Sequence, residues 1–326
     1  MKYEFLLVVV LLLLACNDKT NPGAENSKVK ADISQKEGTL NKPKVSFTFD
    51  DGITNDIVGY KFEDWNEMIL TALRKANLKS IFFVTGSNKK DSKGKYLLDT
   101  WNNAGHKIAN HTYTHPNFNS EKISLDFFEF ELQETEKVIS EYTNYIKLFR
   151  FPYLKEGNTS DKIKGFRDVL DQNGYSNGHV TIDASDWYIN GELIKSIRKD
   201  GISNPKVEKY KEFYLQHILE RANFYEKLSY ELTNRNINHT LLLHHNLTSA
   251  LFLDDLIERF IEEGWNVINA ELAYEDEIFK RIPSLVRAGE SIIWALAKET
   301  GKYEAKLRYP AEDSRYEIPK MKEMGL

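Results

Sequence analysis

From residue 44 to residue 269, short apolar runs alternate with longer amphipathic stretches, and this rhythm constrains the fold more than any other feature. Residues 44–50 set Val45, Phe47 and Phe49 against Ser46, Thr48 and Asp50, the period-two pattern of a strand. Further strands are predicted at 80–85, 107–109, 146–151, 179–183, 240–244 and 265–269. Between them, 62–76, 96–104, 124–142, 161–172 and 251–263 read as helices, and 207–236 is rich in helix formers without Pro or Gly. Strands alternating with helices predict an α/β fold with a parallel sheet. About seven such units over 43–270 predict a distorted (β/α) barrel with about seven parallel strands, an open doubly wound sheet being the alternative. Beyond residue 270 the rhythm stops. A helix at 288–299 and a charged stretch at 309–326, with Pro310 and Pro319, predict a C-terminal helical extension and tail over 275–326.

The N-terminal residues are of another kind. Phe5 to Ala15 are all apolar, too few to span a bilayer, which needs about 20. They suit a secretory signal peptide, and Leu13-Leu14-Ala15-Cys16 resembles a bacterial lipobox. Cys16 is the single cysteine, so no intramolecular disulfide can form, and it stands where acylation requires it. The expectation is a lipoprotein signal peptide over 1–16 with lipid on Cys16, a flexible tether over 17–42 and a folded domain over 43–274. A plain signal peptide with a chance cysteine is the alternative. The chain would then be extracytoplasmic and membrane-anchored. A net charge of −5 gives no electrostatic support to a nucleic-acid partner. Oligomeric state is left open.

The chemistry-bearing residues stand at the ends of the predicted strands, where parallel α/β folds present side chains to a shared cleft. They are Asp50-Asp51-Gly52, His111 to His115, Arg150 to Tyr153, Asp183 to Trp187, and Leu242 to His245. Each alone has a plain structural reading: an Asp-Gly turn, two surface histidines, a strand-end arginine, an acidic loop, a capping histidine. Two histidines four apart with a carboxylate can converge on one ion if a loop separates them, and Pro116 disfavours a helix there.

In this order the five resemble the motifs of the polysaccharide deacetylases, the NodB-homology family or carbohydrate esterase family 4: TFDDG, H-[ST]-x-x-H, R-x-P-Y, D-x-x-D-W and L-x-H. The resemblance implies that Asp51, His111 and His115 bind a divalent metal, zinc first, with cobalt, nickel or iron as alternatives. It implies Asp50 as base, Arg150 as the group that orients it, and the Tyr153 backbone N–H as oxyanion donor. Leu242 and Trp187 would line the substrate cleft, and His244 would be the acid, held by Asp186. His245 is the alternative to His244. The substrate class implied is an N-acetylated hexosamine polysaccharide. An O-acetyl esterase, and a carbohydrate-binding lipoprotein with a dead site, are the competing readings.

The chain departs from the family pattern at Phe151, where proline is common, at Leu154, where glycine is usual, and at His245, where an acid is frequent. These bear on the shape of the cleft. His106 is expected to pack or cap, and His179, His217 and His239 to be structural with no evident partner. The connection 189–238 is read as a helical outrigger covering the barrel, an insertion that overhangs and narrows the cleft being the alternative.

Overall fold

The structure, a computed structural model, describes residues 42–307 and 314–326. Cys16, the apolar run before it and the tether up to residue 41 lie outside the described residues. Residues from Lys42 onward form one compact unit. Its strands are β1 (Lys44–Asp51), β2 (Ile81–Val84), β3 (Lys107–Asn110), β4 (Tyr145–Phe149), β5 (Lys155–Gly157), β6 (Ser176–Asn177), β7 (Asn238–His244), β8 (Asn266–Val267) and β9 (Ala288–Gly289). Its helices are α1 (Phe62–Lys75), α2 (Ser92–Asn103), α3 (Leu125–Ile139), α4 (Ser160–Gln172), α5 (Asp186–Asp200), α6 (Lys206–Thr233), α7 (Leu247–Glu262), α8 (Ala270–Ala273), α9 (Ile292–Glu299) and α10 (Glu317–Glu323). Among the described residues no helix is long and apolar enough to cross a membrane.

The main sheet is parallel throughout, in the order β6-β4-β3-β2-β1-β7, and it curls into a partial barrel. β8 pairs with Lys44 and Val45 of β1, on the side that β2 takes up from Thr48 onward. The predicted strand at 179–183 is corrected. Ser176 and Asn177 pair with β4, and Gly178 N still reaches Phe149 O. The chain then crosses to the opposite edge, where Thr181 and Ile182 donate to Thr240 O and Leu242 N returns a bond to Ile182 O. One stretch of chain thus links the two edges of the curled sheet. Its apolar residues are buried as a strand's would be, but its hydrogen bonds are divided between two partners.

The period-two pattern of β1 reflects two different interiors. Val45, Phe47 and Phe49 face the helices and are buried with Trp65, Ile69, Leu253 and Phe260. Burying side chains of this size contributes about 1.5–3 kcal/mol each. Ser46, Thr48 and Asp50 point into the barrel, where they are buried too. There Ser46 Oγ and Thr48 Oγ1 each donate 3.0 Å bonds to the carbonyls of His239 and Leu241. A buried polar group must find a partner, so the barrel axis is built on hydrogen bonds.

Phe151 joins a second, aromatic cluster with Phe118, Phe128, Phe149 and Phe166. The connection between Asp186 and β7 folds as two helices, α5 and α6. Tyr210, Tyr214, Ile218, Ala222 and Tyr225 of α6 are buried in the main core, so the helix covers the barrel as expected. Ile278, Ile292, Ile293, Leu296 and Met321, from the C-terminal part, enter the same core.

His106 packs, as expected. It lies against Trp101 and its Nδ1 accepts the Ser80 N–H at 3.1 Å. Burial, with Lys79 adding to it, pushes its pKa down to about 4. The folded value lies below the unfolded one, so the unfolded chain binds more protons as pH falls from 6.5 toward 4, and stability is lost there. Between pH 7 and pH 5 this group should cost about 2 kcal/mol. In denaturant titrations at the two pH values, His106→Asn, whose Oδ1 can still accept from Ser80, should lose less stability than the wild type by that amount.

Candidate active site

β1 ends in Asp50 and Asp51, and its extended backbone breaks between them. Asp51 has φ +78° and Gly52 φ +83°, both in the left-handed region. This turn lets the two adjacent carboxylates address one space. A side chain at Gly52 would meet Lys89 Cε at 2.7 Å, so glycine is needed there for both reasons.

Beyond β3, residues 111–115 form the expected loop. Thr112 (φ +65°) and His115 (φ +61°) are left-handed, which costs on the order of 1–3 kcal/mol each unless neighbours fix it. The neighbours do. Asn110 Oδ1 accepts from Thr112 N, and Thr112 Oγ1 accepts from His115 N. Glu131, buried on α3, accepts from the backbone N–H groups of Tyr113 and Thr114 and from the Thr114 hydroxyl. His111 Nδ1 donates to Arg150 O at 2.8 Å, which leaves Nε2 with its lone pair toward the site.

Asp51, His111 and His115 come together: one donor atom from each lies within 4.8 Å of the others. Asp51 Oδ1 is 3.4 Å from His115 Nε2 and 3.7 Å from His111 Nε2. Donors roughly 2 Å from a common tetrahedral centre would sit about 3.3 Å apart, close to the two separations from Asp51. The charge states also fit a cation. Burial pushes both imidazoles down to about 4, so they are neutral at pH 7 with free lone pairs. Burial acts to raise the Asp51 carboxyl, but His244, then His115, His111 and Lys89, outweigh it and hold it below the usual range. Two imidazoles and a carboxylate suit zinc, and also cobalt, nickel or iron.

Asp50 stands beside this set. Its Oδ1 accepts from Arg150 Nη1 at 2.6 Å, and its Oδ2 lies 3.6 Å from His111 Nε2. Burial raises its pKa to about 6, against the pull of Arg150 and His244. Arg150 has no exposed surface. Nε donates to Gly178 O, Nη1 also to Thr48 Oγ1, Nη2 to Tyr274 OH, and the guanidinium lies 3.8 Å over the Phe83 ring. Tyr274 in turn donates to His179 O.

Across the site, His244 ends β7. Leu242 and His244 face the barrel mouth, and His245 falls on the opposite side, as alternation along a strand requires. His245 is fully buried among Trp65, Phe82 and Trp101, so it does not share the site, and His244 is the histidine that does. Asp186 engages His244 twice: Oδ1 with ring Nδ1 at 2.6 Å and Oδ2 with backbone N at 2.8 Å. Asn246, which caps α7, donates to the same Oδ2. Burial opposes a charged imidazole, but Asp186, reinforced by Asp51 and Asp50, overcomes it and raises the His244 pKa to about 10.

These groups border one cavity of about 420 Å³, room for a sugar unit. Every expected site residue reaches it except Arg150 and Asp186, which lie directly behind Asp50 and His244. Trp187 and Tyr153 are its exposed aromatic walls. Leu154 closes it further by packing with Leu242 and Val180. The Leu154 backbone is left-handed (φ +54°) and is clamped by Glu290 N on its carbonyl, with Gly289 so close that a Cβ there would lie 1.9 Å from Leu154 O. Leu154, Lys89, Glu131, Asn246 and Tyr274 are site-forming residues that motif reading did not assign a role. His179 and His239 are structural as expected, but both have carboxylate partners, Glu156 at 3.3 Å and Glu226 at 2.8 Å.

The loop-holding role of Glu131 gives a direct test of the donor set. Partners that orient ligands typically contribute 10–100-fold to metal affinity. In zinc titrations by calorimetry, Glu131→Ala should weaken binding by about that factor, and His111→Ala/His115→Ala should abolish it.

The chain is similar to known proteins in sequence and in fold. Residues 37–177 match the family model for polysaccharide deacetylase. The chain is 34% identical over 117 residues to a peptidoglycan-N-acetylglucosamine deacetylase of Bacillus cereus, a match covering 36% of this chain and 38% of that protein. It is 28% identical over 149 residues to chitin deacetylase 1 of Cryptococcus neoformans, covering 42% of this chain and 30% of that protein. The matches thus span only about a third of the length of these curated relatives. Among solved structures, a CE4 family pseudoenzyme from Bacillus anthracis shares the fold, with a TM-score of 0.51 and 21% identity over 72% of this chain and 66% of that one. Over residues 37–177, which carry β1 to β6, the chain is thus similar to the polysaccharide deacetylases.

Proposed function

We propose that this protein is a metal-dependent hydrolase that removes N-acetyl groups from a hexosamine-containing polysaccharide. The observation that supports this most strongly is the pairing of opposed groups around one donor set. Asp50 stands on one side, tied to Arg150, and His244 on the other, tied to Asp186. Binding a sugar requires neither a buried base nor a buried acid, so this pairing favours an enzyme over a carbohydrate-binding protein with a dead site.

A divalent cation held by Asp51, His111 and His115 would supply Lewis acidity, polarising the acyl oxygen and making a neighbouring water easier to deprotonate. Asp50 Oδ2 takes the proton from the attacking water, its other oxygen being fixed by Arg150. A carboxylate with pKa near 6 is a competent base at neutral pH and is mostly ionised there. His244 gives its Nε2 proton to the leaving nitrogen, because Nδ1 is committed to Asp186. The Tyr153 backbone N–H is assigned as a donor to the developing oxyanion. Leu242, with Leu154 beside it, takes the acetyl methyl, and Trp187 packs against the sugar. Zinc is the proposed cation. The same residues could release an O-acetyl group, since an alkoxide also leaves with a proton. The two relatives whose names specify deacetylation of amino-sugar polymers favour the N-acetyl substrate.

We further propose that the domain is tethered outside the cytoplasm through lipid on Cys16, a reading supported by the apolar run that ends there.

Acetate release from N-acetylglucosamine oligomers, peptidoglycan fragments and O-acetylated xylan tests the reading. The zinc-loaded protein should act on at least one amino-sugar substrate in preference to xylan. Asp50→Asn and His244→Ala should each lower that rate by about 10²–10⁴-fold. Wild-type activity in Asp50→Asn would remove the base assignment.

A further inference from the structure

None of the cavity's bordering residues comes from α6, yet this helix carries two buried polar side chains one turn apart, His217 and Arg221. A covering helix needs only apolar residues on its inner face. These two point at one short piece of backbone. His217 Nε2 is 3.0 Å from Ala184 O, and Arg221 Nε donates to Asp183 O at 3.3 Å. His217 Nε2 also lies 3.3 Å from Glu317 Oε1. Both neighbours are acceptors, so Nε2 carries the proton. Glu317 opens α10 near the C-terminus and is as deeply buried as His217.

Two consecutive carbonyls are therefore held from α6, and α6 is held in turn by the C-terminal helix. The next residue, Ser185, has φ +52°, a conformation that costs an L-residue about 1–2 kcal/mol. Asp186 follows at once, with both oxygens engaged by His244. If the 183–185 backbone relaxed, Asp186 would turn away from His244.

We infer that α6 and α10 form a strut that aligns Asp186 with His244, and that His217 and Glu317 are positioning residues for protonation of the leaving group. This rests on the acid role proposed for His244. It gives both the long connection before β7 and the C-terminal helix a part in the reaction.

The leaving group supplies the test. An amine leaves only with a proton, whereas 4-nitrophenolate leaves without one. In the zinc-loaded full chain, His217→Leu and Glu317→Gln should lower kcat on N-acetylglucosamine oligomers by about tenfold or more, with KM within twofold. Hydrolysis of 4-nitrophenyl acetate should stay within about twofold of wild type in both variants. His217→Gln, which can still donate to Ala184 O, should recover most of the lost rate. Equal loss on both substrates, or no loss on either, in the His217 and Glu317 variants overturns the strut while leaving the proposed function intact. Should His244→Ala keep the wild-type rate on the oligomers, the acid role falls and the strut with it. A wild type that releases acetate from neither substrate overturns the deacetylase reading itself, and this inference too.

Discussion

A guanidinium with no exposed surface sits at the barrel axis, and much of the site is arranged around it. Arg150 donates to Asp50, Thr48, Gly178 and Tyr274 and lies against Phe83. Leaving one member of a buried charge pair without its partner costs about 3–5 kcal/mol, so its acceptors are as necessary to it as it is to them. They come from β1, from the crossing segment after β6 and from the turn after α8. The same residue's backbone carbonyl orients His111. One position thus fixes the base through its side chain and a metal donor through its main chain.

This constraint explains why the barrel interior is polar. The inward face of β1 carries Ser46, Thr48 and Asp50, and Thr48 joins β7 to Arg150 by donating to one and accepting from the other. The apolar driving force lies on the outer face, between sheet and helices. Separating the two interiors lets the fold bury charge without weakening the core that holds it. His244 and Asp186 repeat the device on the other side of the cavity, with α6 and Asn246 as supports.

Much of this could be read from the sequence, because strand alternation is local. The parallel sheet followed from short apolar runs between helices, and the site from charged residues placed where those runs end. Alternation also settles His244 against His245 once Leu242 is known to face the cavity. What could not be read depends on contacts between distant residues. The 179–183 run looked like a strand, but the pairing with β4 is made by residues 176–178 before it, and only Thr181 and Ile182 bond to β7. Tyr274 lies 124 residues from the arginine it holds, and Glu131 reaches a loop 17 residues before it from a helix with no motif of its own. Nothing near His217 or His239 in the chain announces Glu317 or Glu226 as partner.

The double duty of position 150 permits the most direct test of the account. A change of side chain there should disturb Asp50 and leave the carbonyl on His111 in place. Zinc binding and acetate release from an N-acetylglucosamine oligomer, measured on one preparation of Arg150→Lys, separate the two. The account predicts zinc affinity within a few-fold of wild type and acetate release reduced by about 100-fold. Wild-type acetate release with zinc bound would contradict it.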